Sequence, residues 1–294
     1  MKVIVAKNSG FCFGVKRAME MAYKYAKEHP DKKKYSLREI IHNSQEVKKL
    51  EAEGVKHIEK ISDIEDGACV IVSTHGVTPT EKNRLKEKHL NILDTTCPYV
   101  KKIHLIVKHL AESGAQVVIV GDKDHLEVSG IVGYAQAPPE GKGVSVISEI
   151  EEVKKMRVSA QIGVVAQTTY NLVKYMEITK AIMEKAFAQG YAQVSVHNTI
   201  CDATYNRQEE TIKIAKQAEI MIVVGGKNSA NTKRLYSLSR EILKTVYHIE
   251  TAGELKASWF KGKKIVGVSA GASTPDSAIA ETVKKINEIG RKHK

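Results

Sequence analysis

Three cysteines occupy equivalent positions along the chain. Cys12, Cys97 and Cys201 each follow an apolar, strand-like run and precede a helical pattern. Pro98, directly after Cys97, suits the first position of a helix, because proline has no N–H to leave unpaired there. The N-terminus of a helix favours a thiolate through its unpaired N–H groups and its dipole. The pattern therefore predicts three reactive thiols at three strand-to-helix turns.

Polar side chains recur at similar distances after each cysteine. A first polar loop begins 28 to 30 residues after the cysteine, and a second begins 63 to 72 residues after it. The first loops carry His42, His125 and Ser229. The second loops carry His75, Thr168 and Ser273. Chance does not readily align such markers in three consecutive segments, so the spacing predicts an internal threefold repeat.

The segments between these markers alternate between strand and helix patterns. Residues 15–26 place apolar side chains at helical spacing, and short apolar runs such as QVVIV and IMIVV indicate strands. Alternation at this pace predicts α/β units with mostly parallel sheets. Each repeat is expected to begin with the strand before its cysteine, and Tyr35–His42 is expected to be a strand that ends at His42.

We predict three similar α/β lobes related by pseudo-threefold symmetry around a central cavity. Their bounds are residues 1–96, 97–197 and 198–294, and the N-terminal strand can pack with the third lobe. The loop-rich cluster Pro138–Gly143 falls inside the second lobe and does not mark a linker.

The polar markers should meet at one centre. Each follows a predicted strand, and ligands of open α/β sheets bind beyond the carboxyl ends of the strands. Imidazoles there suit an anionic substrate and a proton relay. Glu127, a carboxylate placed directly in one of these loops, becomes a candidate proton donor if burial raises its pKa. The Gly- and Ser-rich turns at Asn231 and Ser273 suit an anion, because N–H groups converge at helix N-termini.

Three converging thiolates can hold a metal centre, and two kinds of centre remain open. Catalytic zinc uses three protein ligands and an open position, although zinc ligands usually include a closely spaced pair, which this chain lacks. A 4Fe–4S cluster held by three thiolates leaves one iron open to substrate. The spacing does not decide between them. Cys69 lies inside the strand-like run ACVIV, which indicates a buried core residue.

Composition limits the partners. The chain carries 46 basic and 34 acidic residues, and its net charge of +12 favours anionic partners, although a lysine-rich solvated surface explains the charge equally well. Dispersed lysines with one Trp and four Phe give no nucleic-acid signature, and no Walker A or GxGxxG pattern supports a nucleotide. No apolar run reaches the roughly 18 residues of a membrane span and no signal-peptide pattern occurs, so we expect a cytoplasmic protein.

Nine segments follow one another along essentially the full length of the chain: GFCFGVKRA, HNSQEV, STHGV, DTTCPYVKK, HLEV, AQTT, TICDATYNRQ, VGGKNSANTKRL and SAGASTP. In this order they resemble the 4-hydroxy-3-methylbut-2-enyl diphosphate reductase family, also called IspH or LytB. Two positions depart from the usual family pattern. Leu126 replaces a proline, which is expected to loosen the loop of Glu127, and Ala230 replaces a serine, so that it can offer only its backbone N–H.

The resemblance implies an oxygen-sensitive 4Fe–4S cluster held by Cys12, Cys97 and Cys201. It implies that the substrate hydroxyl binds the open iron close to Thr168 and Glu127, with Glu127 as the proton source. The implied diphosphate contacts are His42, His75, His125, Ser229, Asn231 and Ser273, and the implied catalytic set is Glu127, Thr168 and His125. The implied reaction uses two electrons and two protons, removes the hydroxyl as water and gives isopentenyl and dimethylallyl diphosphate.

The resemblance also implies a partner. A ferredoxin, a flavodoxin or a similar small carrier would supply the electrons, and we expect no nucleic-acid or membrane partner and a monomer or weak dimer. Two alternatives remain open. One is a zinc-dependent hydrolase or lyase acting on a phosphorylated small molecule, and the other is a nucleic-acid-binding module.

Overall fold

The fold is that of a computed structural model, which describes residues 1–136, 143–190 and 192–292. Residues 138–142 of the predicted loop-rich cluster lie outside the described residues. Within the described ranges the strands are β1 (Lys2–Val5), β2 (Lys34–Leu37), β3 (Val55–Ile58), β4 (Cys69–Val72), β5 (Asn91–Asp94), β6 (Gln116–Val120), β7 (Val144–Ile147), β8 (Gln161–Ala166), β9 (Gln193–Val196), β10 (Ile220–Val224), β11 (Val246–Ile249) and β12 (Ile265–Ala270). The α-helices there are α1 (Phe13–Glu28), α2 (Ser44–Ala52), α3 (Pro79–Glu87), α4 (Pro98–Glu112), α5 (Leu126–Ala135), α6 (Leu172–Ala188), α7 (Asp202–Ala215), α8 (Ala230–Ile242) and α9 (Asp276–Lys292). Short 3-10 helices span Ile61–Asp63, Ile150–Lys155, Ala252–Glu254 and Ala257–Phe260.

The strands form three sheets that share one topology. Each sheet has four parallel strands, and the orders are β3-β2-β4-β5, β7-β6-β8-β9 and β11-β10-β12-β1. The predicted α/β class with parallel sheets is therefore confirmed. The strand before each cysteine is always the edge strand next to β4, β8 or β12.

The prediction that a new repeat begins with the strand before its cysteine is wrong. β5 pairs with β4, and β9 pairs with β8, so both complete the sheet that precedes them in the chain. The physical reason is the crossover connection. α3 connects β4 to β5 and α6 connects β8 to β9, because a parallel neighbour can be reached only by a crossover connection. β1 takes the equivalent edge position beside β12.

The chain forms two compact units. One comprises Met1–Lys16, Ile41–Lys48 and Asp202–Lys294 and holds the sheet of β1, β10, β11 and β12. The other comprises Arg17–Ile40 and Lys49–Cys201 and holds the remaining two sheets. The lobe bounds inferred from the spacing stay a prediction. None of the helices in the described ranges is long and apolar enough to cross a membrane.

The central strands β6 and β10 are apolar except for Gln116, because helices cover both faces of their sheets. Every residue of β6 and β10 is buried, as is typical of parallel sheets with both faces covered. On one face of β6, Val117 joins a core cluster with Ile103 of α4. On the other face, Val118 joins a cluster with Ile182 of α6. This packing fixes the carboxyl ends of the strands, where the polar markers lie.

The predicted strand Tyr35–His42 is too long. β2 ends at Leu37, because Arg38 adopts a positive φ of 63° and its N–H donates to Ile58 O at 2.7 Å. The following residues still pack inward, and Ile41 is only 2% exposed. Their apolar side chains give the sequence pattern of a strand although the backbone bends at Arg38.

Candidate active site

The three cysteine turns share one backbone construction. Each cysteine follows an edge strand, and the next helix begins at the following residue, at Phe13, Pro98 and Asp202. The N–H of each cysteine donates to a carbonyl in the turn after the neighbouring strand. The three bonds are Cys12 N–H to Ala272 O at 3.1 Å, Cys97 N–H to Thr74 O at 3.0 Å and Cys201 N–H to Thr168 O at 3.1 Å. The predicted strand-to-helix turns are thus present at all three cysteines.

These cysteines differ from the fourth one. Cys12, Cys97 and Cys201 are half-buried, whereas Cys69 is fully buried within β4 as its strand-like surroundings predict. All four lie in the described part of the chain, and none forms a disulfide bond. Cys12 belongs to one compact unit, and Cys97 and Cys201 belong to the other.

One face of α7 holds the segment before the first cysteine. Glu210 accepts from the N–H groups of Lys7 and Asn8 at 2.7 and 2.8 Å. Arg207, only 4% exposed, donates to Gly10 O at 2.9 Å. Burial alone would raise the pKa of Glu210, but the hydrogen bonds from Asn8 and Lys7 outweigh it and hold the pKa below its ordinary value. The turn is therefore fixed by charged side chains from a neighbouring helix.

Glu127 and Thr168 form a buried acid–hydroxyl pair. Glu127 is 3% exposed and lies in the first turn of α5, so its predicted loop position is wrong. Its carboxylate oxygens accept from Thr168 N–H and Thr168 Oγ–H, both at 2.7 Å. Burial raises the pKa of Glu127 above its ordinary range, because the two hydrogen bonds from Thr168 oppose the shift only in part. A carboxyl in this setting can keep a proton that an exposed one would lose.

The helix around Glu127 forms without the proline of the usual family pattern. Leu126 takes the first helical position, and the loop that it was expected to loosen is a helical turn. His125 is the N-cap residue, and its Nδ1 accepts from Glu127 N–H at 3.1 Å. That bond assigns the proton of a neutral His125 ring to Nε2.

Two histidines of the same unit lie together. His75 follows β4, and its ring stands edge-on to that of His125, with centroids 5.4 Å apart and an interplanar angle of 79°. Both side chains are half-buried. The structure therefore brings together His75, His125, Glu127 and Thr168 of the predicted set, all at strand ends or helix N-termini.

In the other unit, three turns meet around His42. Ser273 Oγ–H donates to His42 O at 3.1 Å, and the Asn43 side-chain amide donates to Ser273 O at 2.8 Å. Gly226, in the turn after β10, comes so close that an added Cβ would lie 2.4 Å from His42 O. Only glycine fits this approach, so the sequence at Gly226 is dictated by the position of the histidine turn.

The N-terminus of α8 carries the remaining predicted residues. Ser229 is its N-cap residue, and its side chain accepts from Thr232 N–H at 3.3 Å. Asn231 is 3% exposed, yet neither atom of its amide has a hydrogen-bond partner among the described residues. A buried polar group without a partner costs free energy. Such an amide is typical of a site that is completed by a ligand, and Ala230 adds its backbone N–H to the same helix end.

Sequence reasoning missed three residues that position these groups: Asn43, Arg207 and Glu210. Asn43 directly follows His42, and Arg207 stands in the segment TICDATYNRQ that carries part of the family resemblance. Their positions, next to His42 and inside that segment, were the signals from which these two residues could have been predicted. Glu210 has no such signal, because a charged residue on an amphipathic helix usually faces solvent.

Comparison with known proteins gives a consistent family. The family model described as LytB protein matches residues 3–287. The 4-hydroxy-3-methylbut-2-enyl diphosphate reductase of Pelobacter propionicus is 46% identical over 293 residues, which is 100% of each chain. The protein of the same name from Aquifex aeolicus is 44% identical over 287 residues, covering 98% of this chain and 96% of that protein.

Two solved structures resemble the fold. One, of (E)-4-hydroxy-3-methyl-but-2-enyl diphosphate reductase, the terminal enzyme of the non-mevalonate pathway, aligns with a TM-score of 0.70 and 44% identity, covering 97% of this chain and 99% of that one. The other, E-1-hydroxy-2-methyl-but-2-enyl-4-diphosphate reductase from Plasmodium falciparum, aligns with a TM-score of 0.87 and 30% identity, covering 97% and 87%.

Proposed function

Because the chain belongs to the LytB protein family, we propose that it is a reductase that removes the hydroxyl group of 4-hydroxy-3-methylbut-2-enyl diphosphate. The observation that carries this proposal is the buried Glu127–Thr168 pair at a helix N-terminus beside two imidazoles. It combines a proton source with groups that attract an anion, as a dehydroxylation of a diphosphate ester needs.

The reaction balances with two electrons and two protons. The C–O bond to the hydroxyl breaks, the oxygen leaves as water, and a new C–H bond forms on the allylic fragment. Protonation at either end of that fragment gives isopentenyl diphosphate or dimethylallyl diphosphate. This would be the last step of the non-mevalonate route to isoprenoids.

Cys12, Cys97 and Cys201 would hold a 4Fe–4S cluster. The donor set fits such a group, because each of the three thiols is half-buried at a helix N-terminus while Cys69 is sealed in a strand. When bound, the cluster would supply electrons and an open iron acting as a Lewis acid. The protein itself would supply three sulfur ligands from three turns that have the same backbone hydrogen bond.

The diphosphate would be bound by polar groups at helix N-termini and strand ends. The proposed set is His42, His75, His125, Ser229, Asn231 and Ser273. The amide of Asn231, which has no partner among the described residues, supports this assignment, since a phosphate oxygen and a water molecule could satisfy both of its atoms. Nε2–H of His125 can donate to the same anion, because Nδ1 is already engaged by Glu127 N–H.

Glu127 would deliver the proton that leaves with the hydroxyl group. Thr168 orients the carboxyl through both of its oxygens, and because the Thr168 hydroxyl donates to Glu127, its own oxygen is left to accept a hydrogen bond from the substrate hydroxyl. Burial of the pair excludes water from this end of the site. His125 acts with the pair by capping the turn that carries Glu127.

The electrons would come from a ferredoxin, a flavodoxin or a similar small carrier. We further propose a cytoplasmic location, because thiolate ligands persist in a reducing compartment, and a monomer or weak dimer that uses no nucleic-acid or membrane partner.

An anaerobic activity assay tests the proposal. Protein reconstituted with iron and sulfide is mixed with the substrate and with methyl viologen that was reduced by a limiting amount of dithionite, and the two isoprenoid diphosphates are measured. We expect both products and a loss of viologen colour in the ratio of two electrons per product. Substrate hydrolysis without electron uptake, by protein that contains one zinc ion, would instead support the hydrolase or lyase alternative.

A further inference from the structure

We propose that a basic groove between α3 and α4 is the docking surface for an acidic protein that delivers one electron at a time. The basic groove is a cavity of about 340 Å³ lined by Lys82 and Lys86 of α3 and by Lys101, Leu105 and Lys108 of α4. This inference rests on the proposed function, because a reductase of this kind needs an external source of electrons.

The charge of the groove is strongly positive. Four lysines line it together with one acidic residue, Asp94. Lys101 pairs with Asp94 at 2.8 Å, and Lys108 lies 3.7 Å from Glu112. Both pairs are partly exposed and therefore weak, so the groove keeps a net positive field. Such a field attracts a protein whose surface carries clustered carboxylates.

Apolar side chains line the groove together with the lysines. Leu105 is 68% exposed although it stands among lysines. Tyr134 lines the wall beside it and stacks on the buried ring of His104, with centroids 4.1 Å apart and planes 14° apart. An exposed apolar side chain and a fixed aromatic ring inside a charged rim have the anatomy of a protein-binding patch.

The groove reaches the turn of a proposed cluster ligand. Asp94 and Thr96 line it, and Thr96 directly precedes Cys97. One helical turn further on, Lys101 N–H donates to Cys97 O at 2.9 Å. The lining of the groove therefore includes the residue that directly precedes the proposed cluster ligand.

The exposure of the lysines favours a protein over a small anion. Small anions are held by enclosed donors, whereas these ammonium groups stand on two helix surfaces around an open depression. Redox encounters typically bury less than about 1,200 Å² and depend on charge steering. In each encounter the carrier loses one electron to the reductase, so two reduced carriers are oxidised for each substrate molecule.

Charge reversal tests the surface. The variant Lys86→Glu/Lys108→Glu is compared with Lys180→Glu/Lys285→Glu, which changes the net charge equally on the exposed faces of α6 and α9. Turnover is measured anaerobically at saturating substrate with two reductants, a reduced acidic 2Fe–2S ferredoxin and dithionite. Both series are run at low and at high salt.

We expect the groove variant to lose about tenfold or more in kcat/KM for the ferredoxin at low salt, with a flatter salt dependence. Its dithionite-driven turnover should match that of the parent protein, and the control variant should stay within about twofold with both reductants. Leu105→Ser should weaken ferredoxin-driven turnover at every salt concentration. Equal losses in the groove and control variants, or an unchanged groove variant, would overturn the docking surface. A parent protein without dithionite-driven turnover would instead contradict the proposed function.

Discussion

At the scale of single residues, Glu127 combines burial with an intact hydrogen-bond arrangement. Its carboxyl is 3% exposed, and Thr168 occupies both of its oxygens. Desolvation disfavours the ionised form, whereas the bonds from Thr168 favour it, and desolvation prevails. The result is an acid that holds its proton at higher pH than an exposed glutamate.

Replacement of Glu127 should lower turnover without changing substrate binding. Glu127→Gln keeps the shape of the side chain and can still accept from Thr168 N–H, so KM should change little. Turnover should fall by about 10²- to 10⁴-fold, the usual contribution of a general acid. The measurement is steady-state kinetics with dithionite, and Glu184→Gln on the exposed face of α6 is the control. Unchanged turnover in Glu127→Gln would remove Glu127 from the mechanism.

The raised pKa of Glu127 also predicts how stability depends on pH. The folded protein holds this proton more tightly than the unfolded chain, whose glutamate titrates near 4.5. The stabilising contribution is therefore complete below pH 4.5 and is lost as pH rises through the higher folded pKa. Urea unfolding of the apoprotein should show that Glu127→Gln gains free energy of unfolding relative to the parent as pH increases. A difference that does not vary with pH would contradict the shift.

At the scale of elements, helix N-termini position most of the polar side chains. α1, α4 and α7 each begin one residue after a cysteine, while α5 and α8 are capped by His125 and Ser229. Each helix start supplies N–H groups that lack partners within the helix. In the proposed function, the same local architecture would serve thiolates in one place and an anionic substrate in another.

The first turn of α8 gives a prediction that separates stability from function. Both amide atoms of Asn231 are buried without a partner among the described residues. Asn231→Ala removes groups that make no hydrogen bond to the described protein, so the free energy of unfolding should not fall. KM for the diphosphate substrate should rise by about tenfold, equivalent to one lost hydrogen bond to a charged group. Asn228→Ala, in the exposed turn before α8, is the control for both measurements. A loss of stability with unchanged KM would show that Asn231 is structural.

The hydrogen bond from α7 to the first cysteine turn predicts a loss of stability when its donor is removed. Arg207→Met leaves the carbonyl of Gly10 without its donor. Because a buried group that loses its partner costs about 1–3 kcal/mol, the apoprotein should be destabilised by that amount in urea unfolding. Arg240→Met, an exposed arginine on α8, should cost less than about 0.5 kcal/mol. Similar losses in both variants would show that Arg207 does not hold the turn.

At the scale of the whole molecule, three sheets with one strand order repeat the same plan. Much of it could be predicted, because cysteines and polar loops at regular spacing mark the ends of strands. The packing of the N-terminal strand with the third lobe could be predicted, whereas β5 and β9 join the preceding sheets through pairings that leave no local pattern. The bend at Arg38 could not be predicted, because the buried isoleucines that follow it continue the apolar pattern of a strand. The roles of Arg207 and Glu210 depend on tertiary contacts with residues about 200 positions away.

The central claim is that Cys12, Cys97 and Cys201 hold an iron–sulfur cluster in a reductase. It is tested most directly by iron and sulfide analysis with electron paramagnetic resonance of anaerobically purified protein. The parent protein is compared with Cys97→Ser and with Cys69→Ala, whose side chain is sealed within β4. We predict about four iron and four sulfide per chain in the parent and in Cys69→Ala, and a large loss of both in Cys97→Ser. A colourless parent protein with one zinc ion, or a Cys97→Ser variant with its iron and sulfide intact, would contradict the claim.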